Sequence, residues 1–250
     1  MRIEIRTLPG VPEIAAGDDL AALLVAALEP EGFSEGDVLV VSHKVISKAE
    51  GAVRALRGVV PGPDARRLAA AHDKDARVVQ VVLEQTRALL RAQGGVLICE
   101  THHGLVCANA GVDASNAARD GDVVLLPRDP DASARTLRAR IADLTATSPG
   151  VLIADSFGRA WRNGQCDVAI GCAGISPLDD WRGRNDARGR PLRATWIAVA
   201  DELAGAADLA RKKDSREPAV LIRGVARFVT DDDGEGATAL RRPAAEDLFR

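Results

Sequence analysis

Apolar and polar residues follow two periods along this chain, one typical of helices and one typical of strands. Apolar residues at positions 20 to 28 recur every three or four residues, and an Asp stands just before them where a helix N-cap is expected. Val38–Ser42 and residues 151–154 are short and almost wholly apolar, which predicts buried strands. Residues 129–131, Asp-Pro-Asp, predict another helix start, since proline suits the first helical position and acidic residues suit the positive end of the helix dipole.

The rest of the chain continues this mixture of helices and strands. Helices are predicted from Asp64 and over residues 78–90, the second of them ended by Gly94-Gly95. Further strands are predicted over residues 96–99, 104–109, 121–126, 167–171 and 218–222, and a further helix over residues 201–209. The elements do not alternate as regular β-α-β units, so the pattern favours an α+β fold over a doubly wound sheet. We expect residues 1–250 to form a single domain, with room for two subdomains.

Composition and charge exclude several classes of protein. The 250 residues carry a formal net charge of −3 without a broad basic field, so no nucleic-acid partner is expected. No apolar run is long enough to span a membrane, and the N-terminal residues alternate like a strand rather than like a signal peptide. Four cysteines in such a chain are typical of reduced thiols. We therefore expect a cytoplasmic protein that has neither nucleic acid nor membrane as a partner.

Two acidic residues stand where apolar runs give way to small polar residues. Asp113 lies within residues 105–116, and Asp155 follows the predicted strand at residues 151–154. Carboxylates in such positions suit a hard cation, because Mg²⁺ takes one or two carboxylates together with substrate phosphates. The alternative is that each Asp caps a local turn. Two carboxylates in comparable settings favour a metal site over two unrelated turns.

Other kinds of site have less support. Neither a Gly-x-x-x-x-Gly-Lys-Ser/Thr loop nor a Gly-x-Gly-x-x-Gly motif occurs, so a nucleotide would have to bind by other means. Gly-x-Ser-x-Gly is also missing, which leaves a Ser-His-Asp hydrolase unsupported. Cys99, His102, His103 and Cys107 are candidate zinc ligands, but their spacing fits no standard zinc motif and favours buried thiols beside a polar turn.

Three segments resemble the coenzyme F420:L-glutamate ligase family, the gamma-glutamyl ligases that add glutamate to F420-0. They are residues 36–48, 105–116 and 154–165, and the resemblance extends over about residues 8–249. It implies a two-part α+β fold that forms an intertwined homodimer. It also implies GTP, L-glutamate and F420-0 as substrates, with Mg²⁺ or Mn²⁺ and K⁺ as the ions required.

The resemblance also assigns roles to individual residues. It places one divalent cation at Asp113 and Asp155, and it makes Ser156 a ligand of a second one. The positive charge of a lysine or arginine can stabilise phosphate oxygens, so Lys48, Arg159 and Arg162 are the candidate catalytic residues. Gln165 belongs to the same segment as the two arginines. The predicted nucleotide contacts are Val11, Pro12, Glu13, Ile14, His43, Lys48 and Asn116. On sequence alone, Lys48 also reads as a surface lysine and Asn116 as a turn residue.

Three positions depart from the family pattern. In the family that the chain resembles, many members carry Ser or Thr at the position of His43, and the loop that begins at Trp181 usually begins with Tyr. A Gln that contacts the second metal is replaced by Lys213, whose ammonium has no lone pair to ligate a metal and would instead bring its own charge to the phosphates.

The sequence therefore predicts a GTP-dependent ligase that phosphorylates the carboxylate of F420-0 and then forms an amide with glutamate, with further gamma-glutamyl additions. One alternative is the same chemistry on a variant F420 precursor or another acid, which the changes at His43 and Trp181 would permit. The other is a nucleotide- or deazaflavin-binding protein without catalysis, which the change at Lys213 would permit.

Overall fold

The computed structural model describes residues 2–115 and 121–247. Helices and strands are intermixed along these residues. The strands are β1 (Glu4–Thr7), β2 (Val38–Ser42), β3 (Val53–Ala55), β4 (Thr86–Gln93), β5 (Val96–Thr101), β6 (Val106–Ala108), β7 (Asp122–Val124), β8 (Gly150–Arg159), β9 (Arg162–Ala173), β10 (Asp179–Asp180), β11 (Trp196–Ile197) and β12 (Ala219–Arg223). The α-helices are α1 (Leu20–Leu28), α2 (His43–Ala49), α3 (Pro63–His72), α4 (Ala76–Glu84), α5 (Pro130–Thr145) and α6 (Val199–Ala210). The mixture confirms the predicted α+β class.

A five-stranded sheet positions most of the residues discussed below. Its strand order is β1-β12-β2-β8-β9. β2 and β8 run parallel, with Ser42 opposite Ala154, and the other neighbours in this sheet are antiparallel. Helix α2 starts directly after β2, so it begins at the edge of the sheet where β8 passes Asp155.

The central strands are buried on both faces, which explains why their sequences are continuous apolar runs. Leu39 and Val41 of β2 pack in a cluster that includes residues of α1, α2 and α5. Val38 and Val40 alternate with them and pack on the opposite side with residues of α6. Successive strand residues point to opposite faces, so a strand covered by helices on both sides needs apolar residues at every position.

A third apolar cluster lies apart from these two. It joins residues of α3, α4 and β5 with Val123 of β7. The antiparallel sheet β4-β5-β6 belongs to this part of the molecule, and β7 pairs with β3 in a separate two-stranded ribbon. Each cluster buries its own apolar residues, consistent with the two-part character that the resemblance implies.

The helix predicted over residues 78–90 is wrong in its second half. α4 ends at Glu84, and Thr86–Gln93 form β4, which pairs with β5 as an antiparallel hairpin. Gly94 and Gly95 make the turn between these strands, both at positive φ, a conformation that glycine adopts at little cost. The hairpin register therefore outweighs the helical spacing that continues past Glu84.

The strand predicted at residues 151–154 does not end at Asp155. β8 continues to Arg159 because β9 pairs with it along its whole length, up to the pair Arg159 and Arg162. Burial falls along β8 after residue 154, so Asp155 lies inside a strand where that strand emerges from the core. The sequence shows where β8 changes from apolar to polar residues. The strand extends beyond that point because β9 remains paired with it.

Both predicted helix caps are confirmed. The side chain of Asp19 accepts a hydrogen bond from the Ala22 amide, and that of Asp129 accepts one from the Ala132 amide. Pro130 occupies the first turn of α5. Within residues 2–115 and 121–247, no helix has both the length and the apolar character that crossing a membrane requires.

Close packing of α5 on β9 gives a test of this arrangement. A methyl group on Gly171 would overlap the main-chain carbonyl of Pro130, whereas one on Gly158, in β8, would meet no atom within 4 Å. We expect Gly171→Ala to lower the free energy of unfolding by about 1–3 kcal/mol and Gly158→Ala to change it by less than about 0.5 kcal/mol. Urea unfolding of both variants measures the difference. Equal stabilities would contradict the contact between α5 and β9.

Candidate functional site

A cleft of about 870 Å³ brings together segments that are far apart in sequence. Its walls come from residues 11–14, the start of α2, the loop that holds Asp113, the emerging part of β8 and residues 208–218 after and at the end of α6. The residues from the sequence prediction that line it are Val11, Pro12, Glu13, Ile14, Lys48, Asp113, Asp155, Ser156 and Gln165. His43 lies just beneath this wall, and Asn116 falls outside the described residues.

Asp113 is held at the cleft by a lysine that the sequence analysis did not single out. Its main chain pairs with Val124 in an isolated β-bridge, which fixes the loop against β7. Its carboxylate contacts the Lys44 ammonium at 2.6 Å and accepts hydrogen bonds from the amide and hydroxyl of Ser115. Burial by itself would raise the pKa of Asp113, but the hydrogen bonds from Lys44 and Ser115 outweigh it and lower that pKa below its ordinary value.

Asp155 faces an imidazole instead of a lysine. His43 is buried, and its Nε2 lies 3.3 Å from Oδ1 of Asp155. The same carboxylate oxygen accepts a hydrogen bond from the amide of Ser156. Since His43 and Lys44 are consecutive at the start of α2, that one turn contacts both candidate metal carboxylates.

Lys48 lies one turn further along α2, and the surrounding protein buries most of it. Its ammonium forms an ion pair with Oε1 of Glu13 at 2.5 Å, while the Glu13 side chain is 72% exposed. The alternative reading of Lys48 as a surface lysine is therefore wrong. Glu13 belongs to the predicted nucleotide-binding segment, so this pair ties that segment to α2.

A second group of charges surrounds Ser156. The Ser156 hydroxyl donates to Oδ1 of Asp167 at 2.5 Å, and Asp167, whose side chain is 1% exposed, also pairs with Arg211. The Lys213 ammonium donates to Ser156 Oγ at 3.0 Å and to Asp208 Oδ1 at 2.7 Å. Ser156 therefore lies within a network of two carboxylates and two cations.

The two predicted catalytic arginines lie outside the cleft. Arg159 and Arg162 are the last pair of the β8–β9 hairpin and both are exposed. Arg159 donates to the main-chain oxygen of Asn163, and neither arginine lines the cleft. Their catalytic role stays a prediction, whereas Gln165 of the same run does reach the cleft wall.

The sequence analysis missed four charged residues of the site, namely Lys44, Asp167, Asp208 and Arg211. Lys44 stands beside His43 within a family motif, so that motif could have drawn attention to it. Asp167 is an acidic residue just before the apolar run of β9, so it stands at the opposite end of such a run from Asp155, and the signal used for Asp113 and Asp155 does not cover it. Arg211 belongs to the Ala-Arg-Lys-Lys segment that departs from the family pattern, in which only Lys213 was predicted to face the phosphates.

The carboxylate oxygens of Asp113 and Asp155 are donors of the kind that a hard divalent cation takes. No group of three or more His, Cys, Asp or Glu side chains is placed to hold a metal ion within the two described ranges. Mg²⁺ bound to a nucleotide does not need such a group, because one or two carboxylates plus phosphate oxygens complete its coordination. The position at Ser156 does not suit a second ion, since the Lys213 ammonium already contacts that hydroxyl.

The alternative zinc site gains no support from the structure. His102 and His103 each place Nε2 against a main-chain oxygen, that of Glu84 and that of Pro127 respectively. Cys99 and Cys107 are buried opposite each other on β5 and β6. Burial raises the pKa of the Cys107 thiol to about 12, which disfavours the thiolate that zinc would bind.

Comparison with known proteins adds independent findings. A family model described as F420-0:Gamma-glutamyl ligase matches residues 10–224, which include every segment of the cleft wall. The chain is similar to the coenzyme F420:L-glutamate ligase of Methanopyrus kandleri, with 43% identity over 250 residues, 99% of this chain and 98% of that protein. The corresponding ligase of Methanothermobacter thermautotrophicus is 40% identical over 253 residues and the whole of both chains. That of Archaeoglobus fulgidus is 42% identical over 252 residues, all of this chain and 97% of its own.

The contact between Lys44 and Asp113 predicts a measurable pKa change. In Lys44→Met the pKa of Asp113 should rise, because burial then acts without the strongest opposing hydrogen bond. An Asp with a lowered folded pKa stabilises the fold above its unfolded pKa of about 3.9, and this contribution is lost as the pH falls through the folded value. The variant should therefore lose part of that stability already at neutral pH.

Carboxyl NMR titration of Asp113 measures this change, with Lys74→Met as a control that removes a lysine that is not among the groups acting on the Asp113 carboxylate. The control should leave the titration of Asp113 unchanged. If Asp113 titrates identically in Lys44→Met and in the unaltered protein, Lys44 does not hold its charge.

Proposed function

The chain belongs to the F420-0:gamma-glutamyl ligase family, as its three motifs predicted, and we propose that it is a ligase that uses GTP to join L-glutamate to F420-0. The observation that carries this proposal is the convergence of carboxylates and ammonium groups in one cleft. Asp113 and Asp155 offer oxygen donors, and Lys44, Lys48 and Lys213 lie on the same walls. A site that handles phosphoryl groups and carboxylate substrates needs both kinds of charge.

The reaction requires activation of the acceptor. A carboxylate is a poor electrophile, so its oxygen first takes the γ-phosphoryl group of GTP, which forms an acyl phosphate and releases GDP. The amine of glutamate then attacks the acyl carbon and loses a proton as the amide forms, and phosphate leaves. Further rounds on the new terminal glutamate would extend a gamma-glutamyl tail.

The cations of the cleft are suited to hold the triphosphate. Lys48 is the buried one of these, and its present partner Glu13 is exposed and free to turn outward when phosphate arrives. A compact ammonium on a flexible stem can follow a phosphoryl group as its charge moves. In this proposal the nucleotide-binding residues are Val11, Pro12, Glu13, Ile14, His43, Lys48 and Asn116.

Asp113 and Asp155 are the proposed holders of Mg²⁺ or Mn²⁺. Such an ion supplies positive charge to the phosphate oxygens and so stabilises the transferring phosphoryl group. Lys44 neutralises Asp113 in the described structure. If a cation were bound at that carboxylate, the Lys44 ammonium would be free to contact a phosphate oxygen. The requirement for K⁺ stays a prediction from the family resemblance.

The exposed hairpin tip fits the homodimer that the resemblance implies. Arg159 and Arg162 flank Trp161, whose side chain is 79% exposed, and neither arginine reaches the cleft of its own chain. We propose that the chain forms a homodimer and that each tip brings these arginines to the partner's cleft. There they would bind the carboxylates of glutamate or the phosphodiester of F420-0.

The ligase proposal predicts a product and its dependence on one carboxylate. Protein incubated with F420-0, L-glutamate, GTP, Mg²⁺ or Mn²⁺ and K⁺ should yield F420 species heavier by one or more glutamyl units in mass spectrometry. Asp155→Asn should lower the rate about 100-fold or more, because it weakens binding of the cation, and losing one group that stabilises the transition-state charge costs about that much. Asp143→Asn, an exposed change on α5, serves as the matched control and should retain full activity.

The outcomes separate the remaining alternatives. GTP bound without glutamyl addition and without release of phosphate would contradict the ligase and favour a binding protein. Release of GDP and phosphate only with a different acid would contradict F420-0 as the acceptor and favour a variant substrate. Activity with ATP in place of GTP would contradict the nucleotide preference alone.

The dimer proposal predicts recovery of activity in mixed dimers. Arg162→Ala and Asp155→Asn should each be impaired, yet a hybrid of the two keeps one cleft with both residues intact. Random mixing makes half of the dimers hybrids, so the mixture should regain about a quarter of full activity. The control mixture of Asp113→Asn with Asp155→Asn should regain none, because both changes lie in one chain's cleft. Equal failure of both mixtures would contradict the exchange of arginines between subunits.

A further inference from the structure

The ammonium of Lys213 is surrounded by oxygen atoms from three elements. It donates to Oγ of Ser156 on β8 at 3.0 Å and to Oδ1 of Asp208 on α6 at 2.7 Å, and Oδ1 of Asp167 on β9 lies 3.8 Å away. The Ser156 hydroxyl uses its proton on Asp167, so its lone pairs face the lysine. A hydroxyl and two carboxylates around one point are the donors a hard cation prefers, and here the cation is an ammonium.

The charges of this group are already balanced. Asp167 and Asp208 contribute two negative charges, while Arg211 and Lys213 contribute two positive charges. The side chains of Asp167 and Arg211 are both largely buried, so this ion pair is held within the fold. A divalent cation at Ser156 would meet no net negative charge and would have to displace Lys213.

The other cation position is different. Asp113 and Asp155 together carry two negative charges and face one lysine, Lys44, and one imidazole, His43, which is charged only when protonated. A net negative charge therefore remains available there for one divalent ion. The two positions differ in net charge because Lys213 and Arg211 balance the carboxylates around Ser156, whereas Asp155 faces a histidine.

We infer that Lys213 takes the place of a second metal ion, so that this chain works with one divalent cation per site. The inference rests on the proposed function, since it concerns the charge that faces the nucleotide phosphates. The side chain of Lys213 is 69% exposed, and its ammonium has three N–H donors, two of which bond Ser156 and Asp208. Residues 2–115 and 121–247 offer no hydrogen-bond acceptor to the third, which can therefore donate to a phosphate oxygen. The lysine thus adds a positive charge without coordinating a metal.

The number of bound ions tests this inference directly. Mn²⁺ binding is measured by EPR, in the presence of a non-hydrolysable GTP analogue, for the unaltered protein and for Lys213→Gln, Lys213→Arg and Lys212→Gln. We expect one Mn²⁺ per chain in the unaltered protein and two in Lys213→Gln, which loses the competing charge and gains an amide oxygen. Two ions about 4 Å apart would also broaden each other's spectrum.

The two other variants are matched controls. Lys213→Arg keeps the positive charge and should still bind one ion. Lys212→Gln removes a neighbouring charge of the same cleft that makes none of the contacts described for Lys213, and it should also bind one ion. Two ions in the unaltered protein, or one ion in Lys213→Gln, would overturn the inference.

Failure of the proposed function would look different. A protein that binds one Mn²⁺, gains a second in Lys213→Gln and adds no glutamate to F420-0 would contradict the acceptor and support the inference about Lys213. A protein that binds no Mn²⁺ with the analogue would overturn the inference and the metal assignment of Asp113 and Asp155 together.

Discussion

The register of the parallel strands β2 and β8 is the constraint on which the site depends. Ser42 lies opposite Ala154, so α2 begins beside the point at which Asp155 emerges from the core. A slip of one residue would turn Asp155 to the other face of the sheet and separate it from His43. β2 is paired on its other side with β12, so such a slip would have to break two ladders at once.

Strand alternation then separates the two groups of charge. Asp155 and Ser156 are consecutive on β8 and point to opposite faces, as residues of a strand must. Asp155 shares its face with α2 and contacts His43, whereas Ser156 meets Asp167 and the lysine that follows α6. One strand therefore supplies two positions with different surroundings, and the helix packed on each face decides which charges each position receives.

Sequence reasoning succeeded where the cause is local and failed where it is not. Helix caps such as Asp129 and apolar runs such as Val38–Ser42 depend on neighbouring residues, so their patterns identify them. Asp113 and Asp155 were identified because their motifs are local too. The partners of these carboxylates lie far along the chain: Lys44 is separated by 71 residues from Ser115, which it bonds beside Asp113. Only the pairing of strands brings such residues together, and no short pattern encodes it.

In the arrangement inferred for Lys213, one substitution changes the number of ions that the site holds. A buried carboxylate such as Asp167 needs a compensating charge, and the protein can supply it from a metal or from its own side chains. Arg211 compensates Asp167 from within the fold, and Lys213 then neutralises Asp208 and covers Ser156. An ammonium tethered to the chain is present before the nucleotide arrives, whereas an ion has to be recruited with it. The Lys213 ammonium thus provides a weaker electrostatic field than a divalent ion would, but its charge is always present at the site.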